Sequence, residues 1–404
     1  SEVEARTVSD RSDRSGAALR GRPTPFRSSV TVLAIVAVGA VSLVASNFWL
    51  QAGLFAMAAI VAAIGLSLLV GVAGQLSLAH AFFIGVGAYG YALFAGPTDA
   101  DGLVGFGLPP ALAAILAVLL TGLAGALFSP ISRRLRGIYL GLASLGLVFL
   151  GQHVMVNSHS LTGGFNGRDA VPMRLFGFAF DDDEPTALRL VGQPFDRLER
   201  LWVLFLVLVL VAVWIARNVL SSRTGRAWAT MRDSEVAAPV LGIEVGRAKA
   251  AAFTLSSMFA GLGGVMTALA FGRIVPDSFG LALSIDMLVM VVVGGVGTVG
   301  GTVVGAMFVT TLPLVLDRYS AEIPFVAEPG QPGFTANIVA RMLYGLAIIL
   351  VLLFSPGGLA ALWPGTRGRT DQPSRPPQTP TATTASALSG AGSQPAAPAA
   401  DARR

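Results

Sequence analysis

The polar residues that could take part in chemistry are few, and they lie inside long apolar segments. Polar side chains in a membrane segment usually face protein or a water-filled cavity. We therefore predict that five of them line a solute path: Gln75, Ser77, His80, Tyr139 and Ser144. A hydrogen bond between helices is the alternative role for His80. Ser77 and His80 lie three residues apart on one predicted helix, which supplies neither a separate base nor an oxyanion hole. The sequence predicts no catalytic residue.

Charge is concentrated in residues 221–249, between two long apolar runs. An ionised group at the centre of a bilayer costs several kcal/mol, so a stretch this charged cannot enter the hydrocarbon. It is therefore predicted to be a loop on one face of the membrane, and its excess of arginine assigns that face to the cytoplasm. A loop in this position whose sequence also favours a helix is predicted to be a docking element for a soluble partner.

The second half of this loop is patterned for a short helix. Asp233 and Ser234 offer N-cap oxygens, Glu235 would lie in the first turn, and Gly242 is a natural stop. Pro239 would remove one backbone donor and could kink the helix. Because residues three apart share a helix face, we predict one docking surface with six members: Arg232, Asp233, Glu235, Ala237, Ala238 and Gly242.

Composition indicates a membrane protein. Apolar residues make up 53% of the chain, charged residues 13%, and the mean hydropathy is +0.69, values far from those of soluble domains. There is no cysteine, and His153 and His159 have no cluster of ligands around them in the sequence, so no metal site is predicted. Lys249 is the only lysine and Ala248 precedes it, which excludes the phosphate-binding loop G-x-x-x-x-G-K-[ST]. We expect no bound cofactor here, and ATP hydrolysis must belong to another chain.

Apolar runs of the length that crosses a bilayer, about 20 residues, predict about ten spans in an all-α polytopic fold. They lie near 30–48, 52–71, 76–96, 109–128, 138–156, 201–219, 248–270, 282–297, 302–318 and 336–355. The first run is also compatible with the apolar region of a signal peptide. Residues 30–356 are thus predicted to be one membrane domain, and residues 1–29 and 357–404 polar, disordered tails.

The distribution of arginine predicts the orientation. Segments 1–29, 129–137, 217–249 and 357–404 hold 6, 3, 6 and 5 positive residues, which places them and both termini in the cytoplasm. Residues 157–200 form a long loop on the external side. We therefore expect a multi-pass membrane protein.

Residues 52–156 and 248–355 each hold four predicted spans and enter the membrane from opposite sides, as in an inverted repeat. Each half also has a glycine-broken apolar segment, at 71–90 and 294–308. Glycines allow close helix packing or a break in a helix, and five are predicted to do so in the second half: Gly294, Gly295, Gly297, Gly300 and Gly301.

Two further features have two interpretations each. Four residues of the external loop are expected either at a surface for a binding protein or in a plain turn: Thr162, Gly163, Gly164 and Asn166. Asp286 is expected near the start of a span, where the helix dipole favours a negative charge, as a structural anchor or as a gating residue.

Six segments in order resemble the branched-chain amino acid ABC permease family of the LivH/LivM type, and their spacing resembles the LivM branch in particular. The match extends over about residues 50–360, and the segments read VGVAGQLSLAHAFFIGVGAYG, GIYLGLASLG, SLTGGFNG, RTGRAWATMRDSEVAAPVLGI, VPDSFGLALSIDMLVMVVVGGVGTVGG and FSPGGL. Arg168 follows the third segment where we expect an aliphatic residue.

The resemblance implies the fold of an ABC importer permease and a set of partners. The chain would pair with a second, LivH-like permease, with two cytoplasmic ATPases and with an extracytoplasmic solute-binding protein, surrounded by membrane lipid and without nucleic acid. It also implies that residues 235–238, followed by Gly242, form the EAA-type coupling loop seated in a cleft of the ATPase.

The sequence is compatible with two classes of transporter, an ABC importer permease and an ion-coupled secondary transporter. An ion-coupled secondary transporter needs ionisable residues within its spans, and these are scarce away from the predicted helix ends, which favours the ABC permease. The sequence shows no buried charge to pair with an amino acid, so selectivity is expected to lie in the binding protein. Leucine, isoleucine and valine are the first expectation, with urea, short amides or another small polar solute as the alternative.

Overall fold

The structure is a computed structural model that describes most of the membrane portion of the chain. The described residues are 38–39, 45–98, 102–135, 137–175, 178–180, 189–190, 193–194, 196–320, 322, 333–354 and 358–359. The predicted tails 1–29 and 357–404 therefore lie almost wholly outside the described residues, as does most of the predicted span 30–48.

Helices dominate the described residues. In chain order they are α1 (Asn47–Leu66), α2 (His80–Ala95), α3 (Pro110–Arg134), α4 (Ile138–Asn157), the short α5 (His159–Thr162), α6 (Arg197–Ser221), α7 (Arg223–Asp233), α8 (Val245–Phe271), α9 (Leu281–Gly294), α10 (Val299–Arg318) and α11 (Ala336–Phe354). A π-helix (Ser67–Val72) extends α1, and 3₁₀ turns occupy Gly164–Asn166, Ala238–Leu241 and Pro276–Phe279.

The all-α polytopic fold predicted from the apolar runs is confirmed. Among the described residues, six helices are long and apolar enough to cross a membrane, and three shorter helices are also apolar. Together they correspond to the nine predicted spans from 52–71 onward. The third predicted span starts late, at His80, because residues 73–79 are not helical.

Contacts between the helix ends divide the bundle into two faces. At one end, which we call the coupling face, the Arg232 guanidinium binds the Gly71 carbonyl and Gly71 lies against Gly297. At the other end, the distal face, the Arg318 guanidinium lies 5.8 Å from the centre of the Phe48 ring. Helix α1 therefore runs from the distal to the coupling face.

The distal face also carries the short strands. Strand β1 (Arg168–Asp169) pairs with β6 (Arg273–Ile274), while β2 (Arg174–Leu175) pairs with β3 (Phe178–Ala179) and β4 (Arg189–Leu190) with β5 (Gln193–Pro194), all antiparallel. Because β6 follows α8 directly, α8 runs from the coupling to the distal face, opposite to α1.

The packing of the helices repeats in the two halves. Helix α8 packs on α2 and α3, and α1 packs in the same way on α9 and α10, while α1 and α8 cross at the centre. Helices α2 and α3 are partners, as are α9 and α10. The helices of the two halves run in opposite directions and pack in equivalent ways, which defines an inverted repeat. Residues 47–157 form one half and residues 245–354 form the other. The main hydrophobic core lies where these halves meet.

Candidate functional site

The chain unwinds between α1 and α2, in the interior of the bundle. After the π-helix, residues 73–79 form neither helix nor strand, and Gly74 takes a positive φ of 68°. The backbone of this segment finds partners on neighbouring helices, since the amide of Leu78 donates to Ser144 Oγ (2.8 Å) and that of Ala81 to Ser284 Oγ (3.1 Å). Unwound backbone within a membrane is tolerated only where protein or a cavity surrounds it, so this helix break is a specialised feature.

Of the five residues predicted to line a path, four lie in this break or next to it, and all four are buried. Gln75 is 3% exposed, Ser77 and His80 are each 1% exposed, and Ser144 is fully buried. The His80 ring donates from Nε2 to the carbonyl of Ala62 on α1 (3.1 Å), which is the helix–helix hydrogen bond considered from the sequence.

Buried polar atoms near the break lack partners among the described residues. They are both amide atoms of Gln75, Nδ1 of His80 and the hydroxyl of Ser256. Ser256 lies on α8 beside Gly65, one turn of α1 from the carbonyl that binds His80. Buried polar groups without partners are uncommon and call for a specific explanation.

Tyr139 does not belong to this group, and its place along a solute path stays a prediction. It lies in the first turn of α4 and is 73% exposed. Helix α4 packs only lightly on the remainder of the chain, so the first turn of the helix projects outward instead of towards the break.

A cavity of about 420 Å³ lies on the distal side of the break. Both halves of the repeat contribute to it, with α1 and α2 from one half and α8 to α11 from the other. Its walls are mainly apolar, and Ala62, whose carbonyl binds His80, is among the lining residues. The cavity and the break are therefore adjacent.

Asp286 lines this cavity and is not placed as the sequence suggested. Helix α9 begins at Leu281, so Asp286 is more than one turn inside the helix, and the dipole acts mainly within the first turn. The carboxylate instead interacts electrostatically with Arg341 of α11. This interaction was not predicted from the sequence, which showed no charge placed to meet an amino acid.

The predicted docking loop has a different local structure from the one expected. Helix α7 ends at Asp233, with Ser234 as its C-cap. The Ser234 hydroxyl accepts from the amide of Ala237 (3.1 Å), as predicted for an N-cap, but turns follow in place of the predicted helix. A 3₁₀ turn over Ala238–Leu241 follows, and Gly242 ends it in the left-handed conformation with φ 76°. Pro239 fits without a kink because it lies in the first positions of the turn, where its missing N–H has no partner to lose.

Helix α7 is amphipathic and lies against the coupling face. It buries Trp228 and Met231, each 1% exposed, in a small second core with Phe128 and Phe253. The Trp228 indole donates to the carbonyl of Ala248 (2.9 Å). This burial fixes α7 to the start of α8 and determines where the next loop emerges.

Arg232 and Glu235 attach the loop to the bundle. Glu235 Oε1 lies 2.5 Å from Nζ of Lys249, and the side chains are 24% and 3% exposed. Arg232 binds the carbonyl of Gly71 in the π-helix, directly before the helix break. Arg232 is exposed and Glu235 is partly exposed, so their place on a surface for a partner stays a prediction, although each also binds within the chain.

Three apolar side chains form the exposed surface of the loop instead. Val236 is 81% exposed, Val240 87% and Leu241 69%. Of the two alanines predicted there, Ala237 is exposed and Ala238 is fully buried. Sequence reasoning missed these residues, although three aliphatic side chains in a loop on the membrane surface are a signal of contact with another protein. We call Val236, Val240 and Leu241 the apolar tip.

Four of the five glycines singled out in the second half lie in close contacts. Gly294 lies against Gly301 at the crossing of α9 and α10, Gly297 against Gly71, and Gly295 against Gly358. Gly300 has open space where a side chain would be, so its assignment as a packing glycine is wrong. The chain breaks again at 295–298, and the two breaks therefore meet at the Gly71–Gly297 contact.

The predicted external loop is a compact structure held by its own hydrogen bonds. Thr162 is 6% exposed, and its hydroxyl lies within hydrogen-bond distance of the carbonyls of Met155 (2.6 Å) and Ser158 (2.8 Å). Gly163 and Gly164 both have positive φ, 75° and 60°. The carbonyl of Asn166 accepts from the guanidinium of Arg273.

Arg168 is the central residue of this loop, and its importance was not foreseen. It is 4% exposed, and its NH1 donates to the carbonyls of Val104 (2.6 Å) and Leu161 (3.1 Å). The guanidinium thus joins the loop after α2 to the loop after α4. An aliphatic residue at this position could not make these bonds.

Comparison with known proteins gives a consistent result. The family model described as the permease component of the branched-chain amino acid transport system matches residues 48–352. The high-affinity branched-chain amino acid transport system permease protein LivM of Escherichia coli (strain K12) is 31% identical over 309 residues, 74% of this chain and 67% of that protein. The probable branched-chain amino acid transport permease protein LivM of Methanocaldococcus jannaschii is 24% identical over 259 residues, 64% of this chain and 69% of that protein.

A shorter match is to a permease named for a different solute. The autoinducer 2 import system permease protein LsrC of Klebsiella pneumoniae is 33% identical over 141 residues, 33% of this chain and 39% of that protein. No solved structure matches this chain significantly.

Proposed function

This chain belongs to the family of permease components of branched-chain amino acid transport systems, and from that premise we propose that it imports leucine, isoleucine and valine. It is a multi-pass membrane protein and a permease subunit of an ABC importer. The single observation that carries the substrate proposal is the 31% identity to a LivM protein over 74% of the chain.

The partners follow from this role. An importer of this family works with an ATPase and a binding protein. Specifically, the chain forms half of the translocation pathway with a LivH-like permease, and two ATPases that use ATP dock on the coupling face. An extracytoplasmic binding protein delivers the solute to the distal face. The protein then lies in a bacterial inner membrane with both termini in the cytoplasm.

The structure of the coupling face supports the docking proposal. The apolar tip is exposed, and the chain around it is fixed by the Glu235–Lys249 ion pair and by the bond from Arg232 to Gly71. A displacement of the tip by an ATPase would act on Gly71 and hence on the Gly71–Gly297 contact, where the breaks of the two halves meet. In this way, a movement of the ATPase would be transmitted to the interior of the helix bundle.

Reconstitution tests the proposal. The permease, its partner permease, the ATPases and the binding protein encoded beside it are placed in proteoliposomes, and uptake of labelled leucine is measured with and without ATP. We expect uptake to require ATP and the binding protein, and unlabelled isoleucine and valine to compete. Competition by urea or short amides but not by leucine would change the substrate. Uptake by this chain alone under an ion gradient would support a secondary transporter.

A further inference from the structure

The cavity between the repeat halves has the chemistry of a binding site for an aliphatic amino acid. We propose that leucine or a similar zwitterion binds there during passage, with its ammonium at Asp286, its carboxylate towards Arg341 and its alkyl chain against the apolar walls. The inference rests on the proposed function and deepens it, because it assigns this subunit a role in recognising the solute.

The size and walls of the cavity suit a branched alkyl chain. Its volume of about 420 Å³ lies in the range of small-molecule sites, about 300–1,000 Å³. Phe55, Ala59, Leu283, Met287 and Leu314 line it from three helices. A site with apolar walls and few polar groups fixes the orientation of its ligand through those groups.

The polar residues of the cavity wall are Thr267, Ser278, Asp286, Thr310 and Tyr344. Asp286 supplies a half-buried carboxylate, and Thr310 has a buried hydroxyl without a hydrogen-bond partner among the described residues. The hydroxyl of Tyr344 is already used, since it donates to the carbonyl of Val309 (2.6 Å). An ammonium at Asp286 would neutralise a charge that is otherwise costly at membrane depth.

Arg341 completes the match to a zwitterion. It lies on α11 one turn before Tyr344, is exposed, and interacts electrostatically with Asp286. Charged residues within membrane segments are rare and mark substrate or ion pathways. A carboxylate in the cavity wall and a guanidinium whose charge acts on it present complementary charges to the two ionised groups of an amino acid, whereas urea or a simple amide offers no charge to either.

The position of the cavity connects its occupancy to the break. Ala62 lies in its wall and also accepts the hydrogen bond from His80, the first residue of α2. A ligand in the cavity therefore contacts α1 close to the carbonyl that binds the first residue of α2. The unwound segment lies directly before α2, and Arg232 contacts the chain next to this segment from the coupling face. The site lies on the route between the distal face and the coupling loop.

Binding to the purified full-length permease in detergent tests the proposal with three probes. These are L-leucine, 3-methylbutylamine, which lacks the carboxylate, and 4-methylpentanoate, which lacks the ammonium. We expect the wild type to bind leucine most tightly. Asp286→Asn should weaken leucine and the amine by about tenfold or more, the effect of losing a charge-assisted hydrogen bond. Arg341→Gln should weaken leucine and leave the amine unchanged.

Two further variants keep the test decisive. Asp317→Asn removes an exposed carboxylate near the distal end of α10 and should leave leucine binding unchanged. Ala59→Leu fills part of the cavity without altering a charge and should weaken all three probes. Should Asp286→Asn fold poorly, Ala59→Leu still decides whether the cavity binds the probes, and unchanged binding by Ala59→Leu overturns the proposal.

Uptake by the reconstituted importer separates this inference from the proposed function. If the wild type imports leucine and Asp286→Asn imports it with an unchanged KM, the inference is wrong and the proposed function stands. If the wild type imports no leucine, the proposed substrate is wrong. A KM for leucine raised about tenfold by Asp286→Asn, with ATP hydrolysis retained, supports both.

Discussion

The ion pair between Glu235 and Lys249 allows the attachment of the coupling loop to be measured. Its atoms lie 2.5 Å apart, and the lysine side chain is only 3% exposed. At an effective dielectric constant of about 20, this separation corresponds to an attraction of about 7 kcal/mol, much of it offset by desolvation. Removal of one partner from a buried pair costs about 3–5 kcal/mol because the other charge stays buried. Glu235 is 24% exposed, so for Glu235→Gln we expect the low end, about 3 kcal/mol.

A double-mutant cycle isolates this interaction. Unfolding of the purified permease is followed for Glu235→Gln, for Lys249→Met and for the double variant. We expect the double variant to recover most of the stability lost in Glu235→Gln, because no buried charge remains without a partner. The matched control is Glu244→Gln, whose ion pair with Arg247 is 3.3 Å long with side chains 65% and 84% exposed. Exposed pairs contribute about 0–1 kcal/mol.

Two results would refute this reasoning. One is a loss of stability in Glu235→Gln no larger than that in Glu244→Gln. The other is additivity, with the double variant as unstable as the sum of the single variants predicts. Either result would mean that the loop is not fixed by this pair, and the exposed position of the apolar tip would then lack its structural cause.

The remaining predictions concern the tip, the distal loop, one helix crossing and the orientation. Val240→Asp should leave unfolding unchanged, because the side chain is 87% exposed, but should abolish co-purification of the ATPases. Arg168→Leu should destabilise the protein by about 2–4 kcal/mol in unfolding assays, since it leaves two carbonyls without their donor. Gly87→Ala should lower the yield of folded protein, because its Cβ meets the backbone of α8, whereas Gly146→Ala meets nothing. Ser222→Cys should resist an impermeant thiol reagent added to intact cells, and labelling from outside would reverse the assigned topology.

The sequence predicted the membrane helices well because the bilayer imposes a simple rule. A helix must be apolar for about 20 residues to cross it, and such runs are visible without any knowledge of partners. The breaks at 73–79 and 295–298 were also foreseen in outline, since Gly74 and Gly297 adopt positive φ. Gly242 was identified as a stop for the same local reason.

The functional details were missed where they depend on contacts between distant residues. Asp233, Ser234 and Glu235 resemble the start of a helix, but the burial of Trp228 and Met231 places the helix before them. The partner of Glu235 is fourteen residues away, at Lys249. Arg341 and Asp286 meet only because α9 and α11 pack together, and no periodicity within one helix shows such a pair.

The single lysine of this chain gives the molecule an internal chemical reporter. The ε-amine of Lys249 is buried under the loop that carries Glu235, so an amine-selective acylating reagent has one lysine to modify and can reach it only when that loop lifts. During turnover, the yield of this one acylation, read by mass spectrometry, would count the fraction of molecules with a raised loop. No fluorophore or engineered cysteine is needed, because arginine occupies every other basic position and does not react.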